Sequence, residues 1–126
     1  MDISKSYHIA APPLAVWRAL VDPEVIEEWG GGPAVMTDEP GSRFTLWGGD
    51  VYGTVLSVDS GSRLVEEWYS GPWAHASILT FSLEAEEGGT LLKLDQTGVP
   101  DEEAADVDTG WDEYYVGPLK ELLEGS

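Results

Sequence analysis

The chain of 126 residues carries six Lys plus Arg against 24 Asp plus Glu, a formal charge of −18, and it has no cysteine. Such a balance repels the phosphate backbone of nucleic acids and the surface of anionic membranes, since both partners draw their affinity from Lys and Arg. Lack of cysteine excludes disulfide scaffolds, thiolate nucleophiles and thiolate metal sites. With 42% hydrophobic residues and six Trp the composition is still that of a folded domain, so the expectation is one domain over residues 1–126, its acids forming a solvated coat or a docking surface for a basic partner.

No stretch reaches the roughly 20 apolar residues that span a bilayer, so no membrane insertion is expected. The start, Met1-Asp2-Ile3-Ser4-Lys5-Ser6, lacks the apolar run and cleavage site of a signal peptide, which makes the expected compartment cytoplasmic.

Alternation over Ile3–Ile9 predicts a strand with Ile3, Tyr7 and Ile9 on one face and Ser4, Ser6 and His8 on the other. After Pro12-Pro13 the period becomes helical, through Leu14, Trp17, Leu20 and Val21. Asp22-Pro23 then opens a second short helix, with Asp22 as N-cap and Pro23 at the first helical position, running to Trp29 and ending at Gly30-Gly31-Gly32-Pro33.

Six strands are predicted next, at Ala34–Thr37, Arg43–Trp47, Val51–Val58, Leu64–Tyr69, Ala76–Glu84 and Leu91–Thr97, separated by Gly- and Pro-rich turns. Short connections imply an antiparallel meander. Leu79, Phe81 and Leu83 share an inward parity that extends to Ser77 and His75, and Leu92, Leu94 and Gln96 share one on the following strand. After Pro100 the residues Val107, Trp111, Tyr115, Leu119 and Leu122 form one apolar helical stripe, interrupted by Gly117-Pro118, where a kink or a local break near Val116 is expected.

A strand, two short helices, six strands and a long terminal helix follow the order of the helix-grip, or START-like, fold: α+β, with a curved antiparallel sheet wrapped around the C-terminal helix. The sequence itself resembles the family of the C-terminal domain of the heat-shock-protein-ninety ATPase activator, within the polyketide-cyclase and lipid-transfer superfamily. The resemblance is carried by Ala11-Pro12-Pro13 with Val16-Trp17 and Leu20, by Asp22-Pro23-Glu24 with Trp29 and Gly32-Pro33, and by Gly53 with Val55 and Val58-Asp59. It continues through Arg63-Leu64-Val65 with Trp68, Thr80-Phe81 with Leu83-Glu84, Gly89-Thr90 with Leu92 and Leu94, Gly98, and Gly110-Trp111 with Leu119 and Leu122-Leu123. Two positions depart from the family pattern: Gly30 stands where members carry a second Trp, and Glu66 where the strand usually has an apolar residue. The activator also has an N-terminal domain to which nothing in these residues corresponds.

Relatives of this fold imply a ligand cavity between sheet and terminal helix. Its expected walls are Trp29, Phe44, Leu46, Trp68, Trp73, Phe81, Trp111 and Tyr115, with Glu66, His75 and Gln96 as polar contacts. Trp17, Trp47, Trp68 and Trp111 read first as core, whereas Trp29 and Trp73, beside Gly- and Pro-rich loops, suit a cavity mouth. Glu66 shares the parity of Leu64 and Trp68, which aims it inward and would raise its pKa; a bulge or edge position would turn it to solvent. His75 is inward by parity and in a loop by its nearness to Gly71-Pro72, and both placements stay open.

No metal or cofactor is expected. His8 and His75 lie 67 residues apart without metal-ligand spacing, and the segment from Asp106 to Gly110 departs from a calcium loop at its fifth position. The expected function is binding of a small hydrophobic molecule rather than catalysis. The alternatives are a chaperone-associated module, as the resemblance implies, and a cyclase- or hydrolase-like enzyme using Glu66 or His75 for proton transfer.

Overall fold

The computed structural model describes residues 1–125. It is an α+β helix-grip architecture: a six-stranded antiparallel sheet in the order β1-β6-β5-β4-β3-β2, with the helices gathered on one face. The strands are β1 (Ile3–Ile9), β2 (Arg43–Leu46), β3 (Val51–Asp59), β4 (Arg63–Ser70), β5 (Ser77–Glu86) and β6 (Gly89–Thr97). β1 crosses over to pair with β6, Ile3 opposite Gln96 and Ile9 opposite Thr90, while β2 to β6 form a meander.

Of the six strands expected after the helices, the first does not form. Ala34–Thr37 contributes a single bridge, Val35 to Thr45, so five strands follow the helices and β1 completes the sheet. Pro33 just before it and Glu39-Pro40-Gly41 just after it confine the segment to a short run, and it turns Met36 into the core.

The two short helices are α1 (Pro13–Val21) and α2 (Pro23–Trp29). Asp22 caps α2, its side chain accepting a hydrogen bond from the Glu24 N–H at 2.9 Å. α1 buries Val16, Trp17, Ala19 and Leu20, but Leu14 is 60% exposed. The helix needs only one covered face, and Leu14 falls outside it.

The sheet curves where β3 is irregular. The register against β4 slips between Val55 and Ser57, and at Gly53 an added Cβ would stand 1.8 Å from the Glu67 carbonyl oxygen. Only a residue without a side chain allows that approach of the two strands, and bulges of this kind increase local bend.

The terminal helix is built in three parts: α3 (Ala104–Gly110), a π turn (Trp111–Tyr115) and α4 (Val116–Gly125). The break expected near Val116 is this π turn, in which the Val116 N–H donates to the Trp111 carbonyl. Pro118 has no N–H for a regular α-helical ladder, and an added Cβ on Gly117 would lie 2.0 Å from the Asp112 carbonyl oxygen, so the wider turn needs glycine there. Lys5 and Tyr7 of β1 fasten the helix from the sheet side. Lys5 Nζ lies 2.9 Å from Asp112 Oδ2 and 3.1 Å from Asp108 Oδ1, and the Tyr7 hydroxyl donates to Asp112 Oδ1 at 2.7 Å. Hydrogen bonds from Lys5 and Tyr7 hold the Asp112 carboxyl below the usual carboxylate range. Among the described residues no helix is long and apolar enough to cross a membrane.

Candidate functional site

The space between sheet and terminal helix is mostly filled. Phe44, Leu46, Phe81, Leu64, Leu79, Leu92, Leu94 and Leu119 are fully buried there. At the end bounded by the β2–β3 turn, the β4–β5 connection and α3, a groove of about 360 Å³ stays open. Aromatic side chains dominate its walls: Trp47, Trp68, Trp73, Trp111, Tyr114 and Tyr115. Val107, Gly110 and Ser70 complete the lining, together with the carboxylates of Asp50, Glu103 and Asp106.

Trp111 anchors the inner wall through a chain of hydrogen bonds. Its Nε1–H donates to Gln96 Oε1 at 2.9 Å, Gln96 Nε2 donates to Ser77 Oγ at 2.9 Å, and the Ser77 hydroxyl donates to the Trp68 carbonyl at 2.8 Å. The chain joins the π turn to β6, β5 and β4. Trp68 packs on Trp111 with ring centroids 5.4 Å apart and edge-on to Trp73 at 5.7 Å, the tilted arrangements aromatic quadrupoles favour. Trp73 Nε1 reaches Glu103 Oε1 at 3.4 Å. Trp68 Nε1 is buried and has no partner.

Trp47 enters the groove from an unusual backbone. Its φ of 49° lies in the left-handed region, which costs a bulky residue energy, and it is held there as its N–H donates to the Gly31 carbonyl at 2.7 Å. The indole packs against Trp29 at 6.0 Å and Tyr115 at 5.9 Å.

The expected walls therefore divide. Trp68, Trp73, Trp111 and Tyr115 meet in the groove. Trp29 does not reach it: it is buried at the end of α2, its Nε1–H donating to the Ala19 carbonyl at 2.8 Å. Phe44, Leu46 and Phe81 are core, and Gln96 is buried with its amide committed to the chain above. Trp47, read from sequence as core, is half-buried in the lining instead, with Tyr114 beside it. The signals available for Trp47 were the following Gly48-Gly49, which permit a sharp turn, and for Tyr114 only its place next to Tyr115.

Glu66 is 1% exposed, on a central strand between Val55 and Leu79. The bulge that could have turned it outward lies on the partner strand, at Leu56. Burial pushes its carboxyl up to about 8, and Oε2 has no hydrogen-bond partner. Burial first, and then the Glu66 charge, hold the Tyr115 hydroxyl well above its usual range. Glu66 sits behind the groove lining rather than in it. His75 is exposed in a bend ahead of β5, because the strand begins at Ser77 and the alternation does not extend to residue 75. Of the two residues named as alternatives for proton transfer, Glu66 thus lies in the core and His75 at the surface. Among the described residues no group of three or more His, Asp or Glu side chains is arranged to hold a metal ion.

Comparisons with known proteins bear on what this fold is used for. An uncharacterized protein of Schizosaccharomyces pombe is 28% identical over 124 residues, which cover 97% of this chain and 37% of that protein. The chain spans about a third of the length of the curated relatives it matches. Among solved structures, a Mesorhizobium loti protein superposes with a TM-score of 0.85 at 28% identity, covering 100% of this chain and 98% of that one. An HSP90 activator from Plasmodium falciparum shares the fold with a TM-score of 0.90 at 20% identity, covering 99% of this chain and 96% of that one. The family model described as activator of Hsp90 ATPase homolog 1-like protein matches residues 10–124, and the chain belongs to that family.

Proposed function

We propose that this protein binds a small, mainly apolar molecule in the groove between the sheet and the terminal helix. The observation that carries the reading is the 360 Å³ opening walled by six aromatic side chains in a sheet–helix interface that is otherwise mostly filled. Its volume is at the small end of ligand pockets, roughly 300–1,000 Å³, and an aromatic lining with few polar groups is their usual chemistry. The Trp111–Gln96–Ser77 chain keeps the inner wall rigid, so the site is preformed rather than closed around its ligand.

The neutral fluorophore N-phenyl-1-naphthylamine is expected to bind saturably with one-to-one stoichiometry. Trp73→Ala, which removes an outer wall, is expected to weaken it by about tenfold, the scale of a lost aromatic contact. Absence of saturable binding, together with a bare mass for protein purified gently from its own cells and weighed under native conditions, would overturn the reading.

A second reading is association with a heat-shock ATPase. It is favoured by the family match and by the name of the Plasmodium relative, and a chain with 24 acidic residues against six basic ones suits a basic docking partner. Purified protein added to the heat-shock-ninety ATPase of the same organism is then expected to raise its turnover at least twofold, with the effect falling as salt is added. Unchanged turnover and no co-elution at low salt would sink this second reading and leave the first intact.

A further inference from the structure

The charge distribution around the groove narrows what it accepts. Every ionisable group with a formal charge in the lining is a carboxylate, Asp50, Glu103 and Asp106, and no Lys, Arg or His contributes to it. The chain as a whole carries −18, so an anionic ligand meets repulsion both at long range and at the rim. Aromatic rings present a negative face, and along the groove wall Trp68 packs against Trp111 and Trp73 at interplanar angles of 34° and 60°. Rings arranged around a space with carboxylates at its edge form an environment that favours an organic cation over a neutral group of the same shape.

We infer that the groove is selective for small organic cations: molecules with an ammonium group on an apolar or aromatic body. The ammonium sits among the indoles toward Glu103 and Asp106. This rests on the binding reading above and assigns the chemical class of its ligand.

The test is a matched set of probes at pH 6.5: 4-(trimethylammonio)phenol, its neutral isostere 4-tert-butylphenol, and 4-hydroxybenzenesulfonate as the anion. Binding is followed through the six indole N–H resonances. The cation is expected to bind at least tenfold more tightly than the isostere, the anion not at all, and the Trp68 and Trp73 indole signals to move most. In the Glu103→Gln/Asp106→Asn double variant, whose changes lie on the partly or fully exposed rim, the ratio of cation to isostere affinity is expected to fall below threefold. Trp73→Ala weakens cation and isostere together. Equal or tighter binding of 4-tert-butylphenol would overturn the charge selectivity and leave the binding function standing. A cation that binds the Trp73→Ala variant unchanged and moves no indole signal is held by the general acidic surface, which also overturns it. If neither the cation nor the isostere binds, the binding function itself fails.

Discussion

Glu66→Gln is expected to stabilise the protein by about 3 kcal/mol at pH 7, by more at pH 9, and hardly at all at pH 4. The sign follows from where the proton sits. The folded chain holds the Glu66 proton up to a pH of about 8, whereas the unfolded chain releases it near the ordinary value of 4.5. Between those values the folded state carries a proton that the unfolded state has lost, so stability is fully present below pH 4.5, falls as pH rises, and levels off above about 8. Glutamine has the shape of the protonated acid and nothing to ionise, so the variant escapes the loss. Urea denaturation of both proteins from pH 4 to pH 9 measures it. Self-repulsion among the other acids affects both proteins alike and cancels in the difference. A difference that stays constant with pH would mean that Glu66 ionises in contact with water and is not enclosed between β4 and the helix.

Trp111→Ala is expected to cost about 3–5 kcal/mol, the range for removing a large aromatic side chain from a packed core. Its indole is fully buried against Trp68, Phe81 and Tyr115, with centroid distances of 5.4, 5.9 and 4.7 Å. Trp111→Phe keeps much of that packing and isolates the polar part: Gln96 Oε1 loses its donor, a buried acceptor left unmade, for about 1–3 kcal/mol. Denaturant midpoints of the two variants give both numbers. A loss below 1 kcal/mol for the alanine variant would show that the helix is not clamped to the sheet through this residue. Because Trp111 serves the fold to this degree, its variants are poor probes of binding, and Trp73, 9% exposed in a connecting segment, is the better one.

Much of the architecture was legible in the sequence because it rests on short-range periodicity. The alternation of Ile3, Tyr7 and Ile9, the Asp22-Pro23 start of α2, and the inward set Leu92, Leu94 and Gln96 all appear in place. Parity says which way a side chain points, however, and not whether another side chain waits there. Phe44, Phe81 and Trp68 all point inward, yet the first two meet packed core and Trp68 meets the groove. That difference is set by the summed volumes of residues far apart in the chain. The exchange of places between Trp29 and Trp47 has the same origin. Both adjoin glycine-rich turns, and only the path of the β2–β3 turn back over α2 decides which indole is covered.

The π turn explains why the stripe of the terminal helix can be read at all. Residues spaced by four advance past a full turn of an α-helix, so Val107, Trp111, Tyr115 and Leu119 would wind about 120° around a regular one. The wider turn at Trp111–Tyr115 takes back part of that winding, and Trp111, Tyr115, Val116 and Leu119 all end buried. In effect the helix carries one residue more than its length requires, set into the middle of the element that closes the groove. Forcing the same residues into a regular hydrogen-bond ladder would swing everything after the turn by about 100°, carrying Val116 and Leu119 away from the sheet. The irregular turn is therefore the element that aligns the two ends of the helix, and the aromatic wall exists because the backbone is out of step there.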